Sequence, residues 1–386
     1  MSARDAVIVE AIRTPVGKRN GALATIHPVD LSAHVLNALV SRAGVDPAEV
    51  DDVIWGVVQQ VGAQSFNVGR NAVLAAGWPE SVPGTTIDRQ CGSSQQAVHF
   101  AASGLISGAY DVVVAGGVEV MSAIPFGAAT PVPELGTSFP PSQLERYGVT
   151  TFNQGVGAEM MAAKWGLTRA ELDEFSAQSH AKLAAATDEG RLAHQMAPVT
   201  LAEGSVFDTD EGLRRGTTAE TLSGLKPVFA DDGVIHAGNS SQISDGSAAV
   251  LMMTSAKAAE LGLTPLARFH TGVLAANDPV MMLSAPIPAT EKVLARSGLT
   301  LDDIGVYEVN EAFAPIPMAW LAETGADPSR LNPNGGAIAI GHPLGGSGAR
   351  IMTQMLHHMR DHDLRYGLQT MCEGGGMANA TIVELL

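Results

Sequence analysis

The chain has 386 residues, 46% of them apolar and 16% charged, which is enough apolar side chain for a large core and excludes a disordered chain. Its 23 Lys and Arg against 40 Asp and Glu leave a formal charge of −17, which argues against general nucleic-acid binding, although a few local arginines suffice to hold an anionic small molecule. Residues 1–5 lack the apolar centre of a signal peptide, residues 383–386 carry no recognised address signal, and no stretch reaches the ~18 uninterrupted apolar residues of a membrane span. With two cysteines in all, the expected compartment is the cytoplasm and the expected state is free thiol.

In chain order, residues 6–11 read as a buried strand, and Asp30 is the expected cap of a helix with Leu31, Val35, Leu36 and Leu39 on one face. Residues 53–58 form a second strand, residues 70–76 a helix and residues 84–88 a third strand. That strand leads into Ile87-Asp88-Arg89-Gln90-Cys91-Gly92-Ser93-Ser94, and the helix beyond presents Ala97, Phe100, Ala101, Gly104 and Leu105 at core spacing. Residues 111–117 are a fully apolar strand, the mark of a central sheet covered on both faces. Residues 119–245 differ. They are rich in Pro, Gly and polar residues over 125–141 and helical over 159–165 and 169–189, which suggests an inserted loop domain.

The C-terminal part repeats the first plan. Residues 304–309 are a strand leading into Asn310-Glu311-Ala312-Phe313. Residues 337–340 are a predicted strand ending at Gly341-His342-Pro343, and a small-residue helix covers 346–359. Residues 368–371 then end at Cys372-Glu373-Gly374-Gly375-Gly376-Met377. Two α/β halves packed back to back would gather their strand-end loops in one crevice.

Four of those loops carry chemistry. A cysteine at a strand-to-helix turn sits where the helix dipole and free N–H groups favour a thiolate, which singles out Cys91. Cys372 lies in a glycine-rich loop that permits close approach. The bland alternative is that both cysteines are packing residues or form a disulfide, and a lone Gly-His-Pro is ordinarily a turn with a solvated histidine. The ordered set of four is far more specific than any one of them. The glycines of 345–348 lack the spacing of a nucleotide-binding loop, and Cys91, His342 and Cys372 lack the paired spacing of a zinc site, so no metal is expected.

With these motifs the sequence closely resembles the thiolase family over essentially its whole length. The resemblance rests also on Glu10-Ala11-Ile12-Arg13-Thr14-Pro15-Val16-Gly17, Gly116-Gly117-Val118-Glu119-Val120-Met121-Ser122, Ala237-Gly238-Asn239-Ser240-Ser241 and Asp245-Gly246-Ser247-Ala248-Ala249. It implies an α/β fold of two repeated βαβαβαββ halves in five layers (αβαβα) with an inserted loop domain. On that plan residues 1–118 are the N-terminal half, with about 246–268 returning to it, 119–245 the CoA-binding loop domain and 269–386 the C-terminal half.

The resemblance also implies roles. Cys91 is the nucleophile that takes the acyl group and His342 accepts its proton. His342 and a water held by Asn310 form one oxyanion hole; the N–H groups of Cys91 and Gly374 form the other. Cys372 is the second acid and base, serving first the acetyl-CoA enolate and then the CoA thiol. Coenzyme A is a co-substrate, with no tightly bound cofactor, and its contacts fall to Arg214 at the nucleotide end and Ser241 at the pantetheine arm. Where short-chain biosynthetic members carry a His-Met pair, this chain has Asn153-Gln154, which suggests a degradative enzyme for a longer or bulkier acyl chain, of fatty-acid or steroid origin. The alternative is synthesis of acetoacetyl-CoA. More distant readings are a ketoacyl-synthase-like condensing enzyme, which would lack the second cysteine, and an inactive lipid-binding relative, which would not need Cys91 or His342. Expected partners are acyl-CoA, CoA and copies of the same chain as a homodimer or homotetramer, with residues 125–141 joining dimers.

Overall fold

The computed structural model describes residues 4–129, 131–132 and 136–386. Five strands build the N-terminal half: β1 (Val7–Arg13), β2 (Asp52–Gly56), β3 (Thr85–Ile87), β4 (Val112–Val120) and, after the insertion, β5 (Ser244–Met253). Their spatial order is β3-β2-β4-β5-β1, with β2 parallel to both its neighbours and the pairs β4–β5 and β5–β1 antiparallel. The C-terminal half has β6 (Ala267–Ala276), β7 (Val306–Val309), β8 (Tyr366–Glu373) and β9 (Met377–Leu385) in the order β7-β8-β9-β6. This is the same order with its third strand missing. The halves join edge to edge where Val7 and Ile8 of β1 face Arg268 and Ala267 of β6.

Every residue of β4 and β5 is buried, as apolar strands covered on both sides must be. On one face lie α1 (Pro28–Ala43) and α2 (Val68–Ala75), packing Leu31, Val35, Leu36, Leu39 and Val73 against Trp55 and Val114. On the other lie α3 (Ser93–Ser107) and, from the far half of the chain, α8 (Leu344–Asp361). Between these come the insertion helices α4 (Gln154–Lys164) and α5 (Arg169–Asp188), and α6 (Pro286–Ser297) and α7 (Pro315–Thr324), which cover the outside of the C-terminal sheet with Val293, Ile316 and Trp320. The α3–α8 layer is apolar toward both halves. Ala101, Leu105, Met352 and Met355 share one cluster with Val113 and Val250 of the first sheet and Val306 and Val383 of the second. The result is the five-layer αβαβα arrangement that the family resemblance implies.

Three expectations are corrected. Residues 337–340 are a short helix, Ala337–Ile340, not a strand. The edge of β7 they would have paired with is already taken. Tyr307 bridges Leu331, and the Asn332 side chain bonds both the N–H (3.0 Å) and the carbonyl (2.9 Å) of Val309. Gln242 from the insertion in turn donates to the carbonyls of Ile338 and Ala339. Second, α1 begins before Asp30. His27 is its cap, accepting the Val29 N–H through Nδ1 at 3.2 Å, and Asp30 sits in the first turn, where a negative charge suits the dipole. Third, Cys372 belongs to β8 rather than to the loop, which begins one residue beyond Glu373. Of the 125–141 segment, residues 130 and 133–135 lie outside the described residues, and so does the expectation that it joins dimers.

Candidate active site

The two helices of the middle layer begin side by side. They cross where Gly348 of α8 meets α3; a Cβ there would stand 2.2 Å from the Gln95 nitrogen, so no larger residue fits. Ser94 Oγ accepts the Ala349 N–H at 2.9 Å and pins the crossing. The first turn of α8 also lies on the ends of the sheet strands, since a Cβ on Gly117 would come within 2.2 Å of the Gly345 carbonyl oxygen. The residues just before these helices, Cys91 ahead of the cap Gly92 and His342 ahead of the cap Pro343, are therefore delivered to one end of the middle layer. Asn310 follows β7, and its N–H bonds the Thr370 carbonyl at 3.1 Å, two residues short of Cys372 on β8.

Cys91 is packed among Val58, Met121, Leu344, Ile351 and Met371. Both thiols are buried and free, which removes the disulfide alternative. His342 is held at both ring nitrogens. Its Nδ1 lies 2.6 Å from Ser347 Oγ, whose single hydroxyl proton goes to the Pro343 carbonyl at 2.8 Å. Ser347 can then only accept, so Nδ1 carries the ring proton and Nε2 keeps its lone pair. That agrees with the Asn310 amide nitrogen, a donor, standing 3.3 Å from Nε2. Asn310 Oδ1 is buried without a partner among the described residues.

Burial sets the charge of the site. It pushes the Cys91 thiol up to about 12, with the nearby Glu373 carboxylate adding to the rise, and it pulls His342 down to about 3, with Arg350 adding to the fall. Burial, then the neighbouring Cys91 and Glu373, raises the Cys372 thiol well above its ordinary value. A helix terminus is worth about 0.3–1 kcal/mol to a charge, under one pKa unit, so burial outweighs the thiolate-favouring dipole expected at Cys91. The resting site holds two neutral thiols and a neutral imidazole.

Above this end of the sheet opens a cavity of about 690 Å³. Phe126, Phe139, Phe152, Phe229, Phe313 and Met282 give it aromatic and apolar walls, and Gln59, Gln90, Asn153 and Gln154 add amides. Of the residues singled out in the sequence, Gly374, Asn153 and Gln154 line it, and Gln90 lines it next to Cys91. Asn153 also caps α4, taking the N–H groups of Gly155 and Val156 at 2.9 and 3.2 Å. Ser241 is not on the wall, but its N–H bonds the Ala312 carbonyl at 2.8 Å beside the wall residue Phe313. Arg214 is exposed, with its N–H on His180 Nδ1 at 3.2 Å.

Sequence reasoning missed two supports of this site. Glu119, at the end of β4, receives the N–H groups of Val58 (3.0 Å), Gln59 (3.0 Å) and Gly345 (2.9 Å) and the Gln64 amide (2.6 Å). One carboxylate thus fixes the cavity wall against the first turn of α8; its signal was a lone charge in an otherwise apolar strand. Ser347 gave no signal beyond its position one turn into the helix after His342.

Comparison with known proteins agrees with this architecture. Residues 6–256 match the thiolase N-terminal domain and residues 263–385 the thiolase C-terminal domain. The chain belongs to the thiolase family. Among its thiolase relatives is the steroid 3-ketoacyl-CoA thiolase FadA6 of Mycobacterium tuberculosis, 49% identical over 99% of this chain and 94% of the relative. The 3-ketoacyl-CoA thiolase of Pseudoalteromonas translucida is 44% identical over 98% of each. The crystal structure of the Bacillus anthracis acetyl-CoA acetyltransferase superposes with a TM-score of 0.92 at 38% identity, covering 100% of this thiolase and 99% of that chain. Among the described residues no helix is long and apolar enough to cross a membrane, and no group of three or more His, Cys, Asp or Glu is placed to hold a metal ion.

Proposed function

We propose that this thiolase cleaves 3-oxoacyl-CoA with a second CoA, releasing acetyl-CoA and a shortened acyl-CoA through an acyl group carried on Cys91. The observation that carries the reading is an imidazole whose Nε2 is a neutral acceptor, at the same end of the middle layer as the free, buried Cys91, which has the second free, buried thiol, Cys372, as its neighbour. Nε2 takes the Cys91 proton as sulfur attacks C3 of the substrate. The C2–C3 bond then breaks, and its electrons become the enolate of acetyl-CoA. The imidazolium and the Asn310 amide face that charge, and the unpartnered Asn310 Oδ1 can take a hydrogen bond from a water that shares the task. The N–H groups of Cys91 and Gly374 serve the oxygen on C3; each such donor is worth about 3 kcal/mol of barrier. Cys372 gives its proton to the enolate carbon and regains one from the incoming CoA thiol. The CoA thiolate displaces Cys91 from the acyl group, and Cys91 recovers its proton from His342. Because thiol and imidazole are neutral at rest, charge separates only when a carbonyl is present to receive the electrons.

CoA lies along the inserted segment in this reading, within a loop domain of residues 119–245, with Arg214 at its nucleotide end and Ser241 at its pantetheine arm. An exposed guanidinium can stack on adenine or pair with phosphate, and the neighbouring Arg215 is already committed to Asp188 at 2.6 and 2.9 Å. The five phenylalanines of the cavity and the 3-ketoacyl-CoA thiolases among the relatives favour a degradative role on long or ring-bearing acyl chains. The likeness to an acetyl-CoA acetyltransferase favours acetoacetyl-CoA instead. CoA-dependent cleavage across a panel of 3-oxoacyl-CoAs decides: higher kcat/KM for long or cyclic chains supports the degradative reading, and a clear preference for acetoacetyl-CoA rejects it. The same proposal places the enzyme in the cytoplasm, where both thiols stay reduced. It also has the chain self-associate, which would cover Phe66, 89% exposed.

A further inference from the structure

We infer that Glu373 is a positioning residue for this reaction, a buried carboxylic acid lodged against the Cys91–Gly92 peptide that governs how readily the two sulfurs release their protons. The inference rests on the thiolase reading above, and it concerns a group that the mechanism leaves unused. Glu373 follows Cys372 on β8 and is wholly buried. Neither carboxyl oxygen has a hydrogen-bond partner among the described residues. The group presses on the nucleophile turn: a Cβ on Gly92 would stand 2.0 Å from Glu373 Oε1 and 2.8 Å from Asn379 Nδ2. Asn379 spends that donor on the Gly92 carbonyl at 3.0 Å, and its own Oδ1 is left without a partner among the described residues.

A buried carboxylate without donors is among the costliest groups a protein can hold, whereas a carboxylic acid carries its own donor. The groups facing Glu373 are Asp88, Arg89 and Cys91 of the nucleophile turn, Cys372 of its own strand and Asn379 of β9. Arg89 and the backbone N–H of Asn379 favour the ionised form, but the Arg89 guanidinium turns to Met377 Sδ at 3.8 Å, and its Nε has no partner among the described residues. Burial wins and raises the Glu373 carboxyl to about 8, so it is neutral at pH 7 and ionises under mildly alkaline conditions. Once ionised, it places a negative charge beside both sulfurs and opposes thiolate formation at each.

The test reads Cys91 directly. Iodoacetamide alkylation is followed by mass spectrometry of the Cys91 peptide from about pH 6 to about pH 9 in the wild type and in Glu373→Gln, whose amide mimics the neutral acid. The expected result is equal rates at the acid end and alkylation of the variant at least about threefold faster at the alkaline end, with the alkaline fall of kcat/KM weakened. Arg89→Gln gives a second handle should the first variant fail to fold. Removing that positive charge raises the Glu373 pKa, so the wild-type break moves to higher pH. Identical pH dependence in all three proteins overturns the inference. A wild type that cleaves no 3-oxoacyl-CoA at all would instead overturn the thiolase reading, because alkylation is measured without turnover.

Discussion

In the N-terminal half the residue before the buried helix is Cys91, delivered by the paired strand β3. In the C-terminal half the residue at the same place before α8 is His342, delivered by the short helix Ala337–Ile340 and a Gly341 at φ 114°. One supersecondary plan, used twice and folded so that its two helices cross at Gly348, brings Cys91, the proposed nucleophile, and His342, the proposed base, to one end of the middle layer. The fourth strands also differ: β4 carries Glu119 one residue before its end, which braces the site, and β8 ends on Cys372 and Glu373, which sit beside Cys91. The repeat thus supplies the geometry, and the residues that differ between the two halves are the ones to which the proposed chemistry falls.

The comparison can be broken from its C-terminal side. His342→Ala removes the proton acceptor and should lower kcat by about 10³-fold with the fold intact, measured as 3-oxoacyl-CoA cleavage alongside circular dichroism. Cys372→Ser should cost less, roughly 10²-fold, because acylation of Cys91 still begins; rapid-quench kinetics should show the acyl-enzyme forming and persisting. Ser347→Ala frees Nδ1 from the acceptor that fixes the tautomer, and a roughly tenfold loss in kcat with little change in KM is expected.

The smallest effect concerns stability. An acid whose folded pKa is raised, as for Glu373 from the ordinary 4.5 to about 8, costs the fold nothing below pH 4.5 and progressively more until pH 8. Glu373→Gln should therefore match the wild type in thermal unfolding near pH 4 and exceed it near pH 8, by an amount on the order of 4 kcal/mol.

Much of this was legible in the sequence because the signals are local and strong. The apolar run of β4, the small-residue helices and the four motifs around Cys91, Asn310, His342 and Cys372 each declare themselves within ten residues. The short helix at Ala337–Ile340 could not be read that way. Its four apolar residues suit a strand, and what decides against one is a side chain, Asn332, occupying the β7 edge together with Gln242 reaching in from the insertion. Nor could the charge state of Cys91 be read locally. The helix start is visible in the sequence, but the burial that outweighs it is assembled from Val58, Met121, Leu344, Ile351 and Met371, five residues from different parts of the chain.

The most direct measurement is to mix the enzyme with a 3-oxoacyl-CoA in the absence of free CoA, quench, digest and locate the acyl mass by peptide mass spectrometry. Acyl adduct on the Cys91 peptide, lost in Cys91→Ala, is the predicted result. Adduct on the Cys372 peptide, or CoA-dependent cleavage persisting at full rate in Cys91→Ala, would contradict it.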